Sequence, residues 1–117
     1  MLKNTTIAAL ATAKGNGGIS IIRISGNAAL ETMNKIFIPL KAQKITSHKL
    51  ILGSIVDKGE KLDECMAVYM KAPNSYTKED VVEFHLHGSE YIVNSVLSLI
   101  YSFGVLPAEA GEFTRRA

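Results

Sequence analysis

A chain of 117 residues, 47% of them hydrophobic and 21% charged, is long enough for one real core and too short for a second large domain. Lys plus Arg number 13 against 11 Asp plus Glu, and with the lysines scattered from Lys3 to Lys78 there is no field to attract nucleic acid or an anionic membrane to this segment alone. The one cysteine, Cys65, excludes an internal disulfide and a multi-cysteine metal site, no apolar run reaches the roughly 18–20 residues of a membrane span, and the start lacks a signal peptide's regions. The expectation is a cytoplasmic protein.

In chain order, Thr6 to Thr12 predicts a short strand and Ile19 to Ser25, with its alternating isoleucines, a second; the glycine-rich turn Gly15-Asn16-Gly17-Gly18 joins them. Asn27 is placed to cap a helix in which Leu30, Met33, Ile36 and Phe37 recur at helical spacing until Pro39. Leu50 to Val56 and Cys65 to Lys71 predict two strands of a hairpin around Asp57-Lys58-Gly59-Glu60-Lys61. After the loop Ala72 to Thr77, Asp80 to His87 alternates as a fifth strand, and Ser89 to Gly104 reads as a capped amphipathic helix. The order ββαβββα predicts an α+β fold, a single mixed sheet of about five strands with two main helices on a face. The tail from Gly111 reads as the first turn of a further helix, and the chain is expected to be a piece of a longer one.

Two residues stand out chemically. Alternation puts Arg23, one of three arginines, on the strand face of Ile19 and Ile21, while Ser20, Ile22 and Ile24 line the other. The bland reading is an edge arginine whose stem covers apolar surface; the sharper one is a planar donor fork aimed at a carboxylate or a heterocycle. Glu83 shares a face with Val81, His85 and His87, opposite Val82, Phe84 and Leu86. It is either half of a cross-strand ion pair or a carboxylate that accepts paired hydrogen bonds from an amino group and a ring N–H, as a pterin presents them. Glu83, His85 and His87 also have the i, i+2, i+4 spacing of a strand-borne zinc or iron site. Cys65 reads as a core filler, and Asn74 and Tyr76 as loop residues that either make a turn or line a pocket. The glycines Gly15, Gly17 and Gly18 precede a strand, so they fit neither a dinucleotide fingerprint nor a P-loop.

Four blocks carry a resemblance: Thr6 to Thr12 with Gly15-x-Gly17-Gly18-Ile19-x-Ile21-Ile22-Arg23-Ile24-Ser25-Gly26; Ala72-Pro73-Asn74-Ser75-Tyr76-Thr77-x-Glu79-Asp80-Val81-Val82-Glu83; His87-Gly88; and Gly111-Glu112-Phe113-Thr114-x-Arg116-Ala117. Together they resemble the N-terminal domain of the tRNA modification GTPase family MnmE, also called TrmE. The resemblance implies that residues 1–117 form a tetrahydrofolate-binding and dimerisation domain, similar to half of the folate-binding domain of the glycine-cleavage T protein. Arg23 and Glu83 match the family's folate-contacting arginine and glutamate, the ligand being 5-formyl- or 5,10-methylene-tetrahydrofolate, and no catalytic or metal residue is implied here. A further folate-contacting lysine lies beyond Ala117 in the family. So do a helical domain and a GTPase domain that uses GTP, magnesium and potassium. The homodimer, with the flavoprotein MnmG, would form 5-carboxymethylaminomethyl-type uridine at the tRNA wobble position. The alternatives are a pure dimerisation module without folate, and a small metal site on Glu83, His85 and His87. The sequence departs from the family at Ala13-Lys14, Asn16, Ser89 and Glu109-Ala110, none of which touches Arg23 or Glu83.

Overall fold

In a computed structural model of the protein, which describes residues 5–12 and 18–117, two helices pack on one face of a seven-stranded sheet and leave the other face uncovered except where a short third helix folds over part of it. The strands are β1 (Ile7–Leu10), β2 (Ile19–Ser25), β3 (Phe37–Pro39), β4 (Ile51–Asp57), β5 (Glu60–Met70), β6 (Val81–His87) and β7 (Leu106–Pro107); the helices are α1 (Ala29–Ile36), α2 (Glu90–Tyr101) and the short α3 (Glu112–Arg116). The sheet runs β3-β4-β5-β6-β2-β1-β7, antiparallel throughout except for the parallel β1–β7 pair. The α+β mixed sheet is therefore as expected, with two strands more than the five the sequence suggested.

Both extra strands are edge strands with weak signals of their own. Phe37 continues the helical spacing of Met33 and Ile36, yet α1 stops at Ile36 and Phe37–Pro39 pairs with Ile55–Gly53. Proline at a sheet edge loses no ladder bond, and the backbone of Gly53 leaves room for the Phe37 ring, where an added Cβ would lie 2.5 Å from it. β7 has only two residues; Leu106 N–H donates to Thr6 O and Ala108 N–H to Ala8 O.

The helix starts differ in a similar way. Ser89 caps α2 as the sequence predicts, its Oγ accepting from Ile92 N at 3.4 Å. Asn27 does not cap α1: the N-cap is Ala28, no side chain caps the helix, and the Ala28 N–H instead donates to Thr6 Oγ1 at 3.0 Å, 22 residues upstream. That contact needs Gly26, which sits at φ 136 and whose Cβ, if present, would lie 2.6 Å from the same Thr6 hydroxyl. The β4–β5 hairpin is tighter than expected: Asp57 pairs with Glu60, leaving Lys58 and Gly59, at φ 51 and 82, as a two-residue turn, and β5 starts at Glu60 rather than Cys65.

One contiguous core joins Ala29, Met33 and Ile36 of α1 and Val93, Val96 and Ile100 of α2 to the buried side of the sheet, where Ile22, Ile24, Val82, Phe84 and Ala67 lie. Every residue that alternation assigned to the inner face of β2 and β6 is buried. Phe37 and Phe84 meet with ring centroids 6.0 Å apart, and the Tyr101 hydroxyl satisfies itself on Ala8 O at 3.0 Å. Cys65 is a core residue; burial, with the Asp63 and Glu64 carboxylates adding to it, pushes its thiol up to about 12, so it is chemically inert at neutral pH. No described helix is long and apolar enough to cross a membrane.

Candidate functional site

The sheet order answers what the sequence left open. β2 and β6 are neighbours, and their register sets Arg23 directly opposite Glu83, so the two side chains meet on the uncovered face. Arg23 Nε donates to Glu83 Oε2 at 3.0 Å, with the side chains 22% and 16% exposed. The other carboxylate oxygen, Glu83 Oε1, lies 3.2 Å from His85 Nε2. Glu83 thus has one donor on each oxygen and spare lone pairs on both.

Two rings flank the arginine. The guanidinium carbon lies 5.1 Å from the centroid of Tyr76 and 5.3 Å from that of Phe113. Each contact is worth about 0.5–1 kcal/mol at a partly exposed site. The Tyr76 hydroxyl is 2.7 Å from Thr114 Oγ1, which ties the loop before β6 to α3. Among the described residues, neither terminal nitrogen of Arg23 has a hydrogen-bond partner, so up to four N–H groups remain available beside a carboxylate.

Of the two loop residues, Tyr76 lies against Arg23, whereas Asn74 belongs to a turn whose carbonyl meets His48 Nε2 at 2.8 Å. Phe113 was missed, because it lies in a tail whose helical turn gave no hint of folding back over β2. The three-residue metal arrangement does not assemble: His85 turns to Glu83, but His87 turns to Asp63, with its Nδ1 2.8 Å from Oδ1 while its backbone N–H donates to Oδ2 at 3.1 Å. No group of three or more His, Cys, Asp or Glu among the described residues could hold a metal ion. Of the glycine turn only Gly18 lies within the described residues.

A cleft of about 440 Å³ opens elsewhere, on the helix-covered side, between α2 and the β1–β2 pair, lined by Leu10, Ser20, Glu90, Val93, Asn94 and Tyr101. Its described lining carries one carboxylate, Glu90, one carboxamide, Asn94, and the hydroxyls of Ser20 and Tyr101, but no cation, whereas the arginine–carboxylate pair flanked by two rings is on the other face.

The uncovered face is also apolar outside the charged pair. Register places Ile38 beside Ser54, Leu52 beside Met66, Met66 beside His85 and Ile21 beside His85, all on the side of Arg23 and Glu83. Ile19 is 65% exposed, and Ile38 and Leu52 are exposed as well.

Fold and site together define a class: an α+β domain whose one mixed sheet is closed by helices on one face and presents a charged, aromatic-flanked cluster on the other. The family described as GTP-binding protein TrmE N-terminus matches residues 6–117, and the chain belongs to it. Among curated relatives, the tRNA modification GTPase MnmE of Moorella thermoacetica is 52% identical over 117 residues, which cover 96% of this chain and 25% of that protein. MnmE of Clostridioides difficile is 49% identical over the whole of this chain and 26% of its own length, and that of Lactiplantibacillus plantarum 47% identical over 96% and 25%. The chain spans about a quarter of the length of the relatives it matches.

Proposed function

We propose that this chain is the folate-binding part of a tRNA-modifying GTPase, and that it takes a one-carbon tetrahydrofolate, 5-formyl or 5,10-methylene, against Arg23 and Glu83. The observation that carries the reading is the half-used ion pair: an arginine whose terminal nitrogens have no hydrogen-bond partner among the described residues, next to a carboxylate with spare lone pairs, flanked by two rings. The residues present fit such a ligand. Glu83 accepts from the amino group and ring N–H of a pterin, the Arg23 terminal nitrogens donate to its carbonyl or to a carboxylate, and Tyr76 and Phe113 provide apolar surface for its rings. When bound, the folate supplies the one-carbon unit; the chain's own residues bind and orient it and hold its donor edge.

The exposed isoleucine and leucine side chains around the pair favour a second copy of this chain as a partner on the same face, giving a homodimer. In the whole protein the modification of the tRNA wobble uridine, the partnership with the flavoprotein MnmG, and GTP hydrolysis with magnesium and potassium then belong to further domains.

Calorimetric titration of the chain with 5-formyltetrahydrofolate tests the reading. The wild type is expected to bind, with Arg23→Ala and Glu83→Ala each weakening affinity at least tenfold, because hydrogen bonds to charged groups contribute about 1.5–3 kcal/mol. Equal affinity in wild type and both variants would overturn the site. Sedimentation in the absence of folate tests the dimer; a monomer at high concentration would overturn that part alone.

A further inference from the structure

We infer that Arg116 is a positioning residue for Arg23: held by Glu79 and Glu112, it pins α3 so that Phe113 stays against the Arg23 guanidinium. The inference rests on reading Arg23 as a ligand-binding residue, and it adds a part of the molecule that touches neither Arg23 nor a ligand.

The reasoning starts from the shortness of α3. Five residues, Glu112–Arg116, behind an N-cap Gly111 at φ 74, cannot hold themselves in place, since a single helical turn is below the length at which a helix sustains itself. Something outside must fix it. Among the described residues, only two side chains of α3 make hydrogen bonds beyond the tail itself. Thr114 meets the Tyr76 hydroxyl in an exposed contact, and Arg116 makes all the others.

The Arg116 side chain is only 4% exposed. Its Nη1 donates to Thr5 O at 2.7 Å and to Glu79 Oε1 at 3.1 Å; its Nη2 donates to Thr5 Oγ1 at 2.7 Å and to Glu112 Oε2 at 3.0 Å. The two acids are held in turn. Glu112 Oε1 accepts from Glu109 N at 2.9 Å, and Glu79 Oε1 accepts from Ser25 Oγ at 2.8 Å. Ser25 is two residues beyond Arg23 on β2, and it also meets Thr77 Oγ1 at 2.7 Å, one residue after Tyr76. The network therefore reaches α3, the strand that bears Arg23 and the loop that bears Tyr76. It fixes the spacing of the three segments whose side chains meet at the guanidinium.

NMR on the intact chain provides a readout that global stability does not move. Phe113→Ala serves as the reference for a lost ring. In Arg116→Lys, which keeps the charge but loses the two-nitrogen fork, nuclear Overhauser contacts between Phe113 and the Arg23 side chain should vanish. The Arg23 Nε–H resonance should move toward its Phe113→Ala position, while the amides of β4, β5 and α1 stay where they are. Glu79→Gln, a milder change, should give the same shift in part and guards against a variant that fails to fold. Binding of 5-formyltetrahydrofolate should weaken roughly three- to thirtyfold in Arg116→Lys, within the range of couplings between contacting side chains, and adding Phe113→Ala should cost nothing further. Unchanged contacts and an unchanged Arg23 resonance in both folded variants would overturn the inference. Additive losses in the double variant would overturn it too. If the resonance moves but the wild type binds no folate, the positioning stands and the folate reading falls.

Discussion

Two arginine clusters sit a few residues apart on this fold and use opposite ends of the guanidinium. At Arg116 both terminal nitrogens are occupied by Thr5, Glu79 and Glu112, and only Nε lacks a partner. At Arg23 it is Nε that pairs, with Glu83, and the terminal nitrogens are the ones left over among the described residues. Burial follows the same division, with side-chain exposures of 4% and 22%. A cluster whose strongest donors are all spent inside the protein holds the structure together. One that leaves them facing out beside a ring and a carboxylate retains binding capacity. The comparison shows that counting spent and unspent donors separates the two roles, where the shared Arg–Glu chemistry does not.

The largest expected effect breaks the saturated cluster. Arg116→Ala leaves Glu79 and Glu112 without their cation in a desolvated site and should destabilise the chain by about 3–5 kcal/mol, read from urea unfolding. Arg23→Ala, by contrast, should change stability by no more than about 1 kcal/mol, because its ion pair is partly solvated, while abolishing most ligand affinity. If the two variants cost the same stability, the division drawn here between them fails.

A smaller effect sharpens it. The Glu109 backbone N–H, together with the charge and hydrogen bond of Arg116, outweighs burial and holds the Glu112 carboxyl below its ordinary value. A lowered carboxylate contributes stability that is fully present above the unfolded-state value and is lost as pH falls through the folded-state value. Wild-type stability should therefore decline on acidification below the usual carboxylate range more steeply than that of Glu112→Gln, which costs about 1–3 kcal/mol at neutral pH. Parallel pH profiles for the two would show that Glu112 is not a stabilising anion. Smallest of all, His85→Ala removes one donor from Glu83 at a half-solvated position and should shift stability by no more than about 0.5 kcal/mol while weakening folate binding a fewfold.

How much of this could be read in the sequence depends on the range of the forces involved. The alternation in Ile19–Ser25 and Val81–His87 is local, and it alone puts Arg23 and Glu83 on open faces. Their meeting is not local. It requires β2 and β6, 60 positions apart at this pair, to be neighbours in a particular register, and the sheet order that achieves this is fixed by core packing rather than by either strand's own residues. Phe37 misled for a related reason: its helical spacing was real, but pairing with β4 beside Gly53 won over one more helical residue. At the start of α1 the Ala28 N–H is satisfied by Thr6 while Asn27 makes no cap, again a long-range contact in place of a local one. Phe113 and Arg116 were visible only as parts of a family-like block, because what gives them their roles is a tail folding back onto Thr5 and Glu79.

The central claim is that the uncovered face, at Arg23 and Glu83, is where this domain binds its ligand. Titrating the 15N-labelled chain with 5-formyltetrahydrofolate and mapping the backbone and arginine Nε–H shifts tests it most directly. The account predicts the largest changes at Arg23, Tyr76, Glu83, His85 and Phe113, with α1 and α2 undisturbed. Shifts centred instead on Leu10, Ser20, Glu90 and Asn94, in the cleft on the helix-covered side, would contradict it.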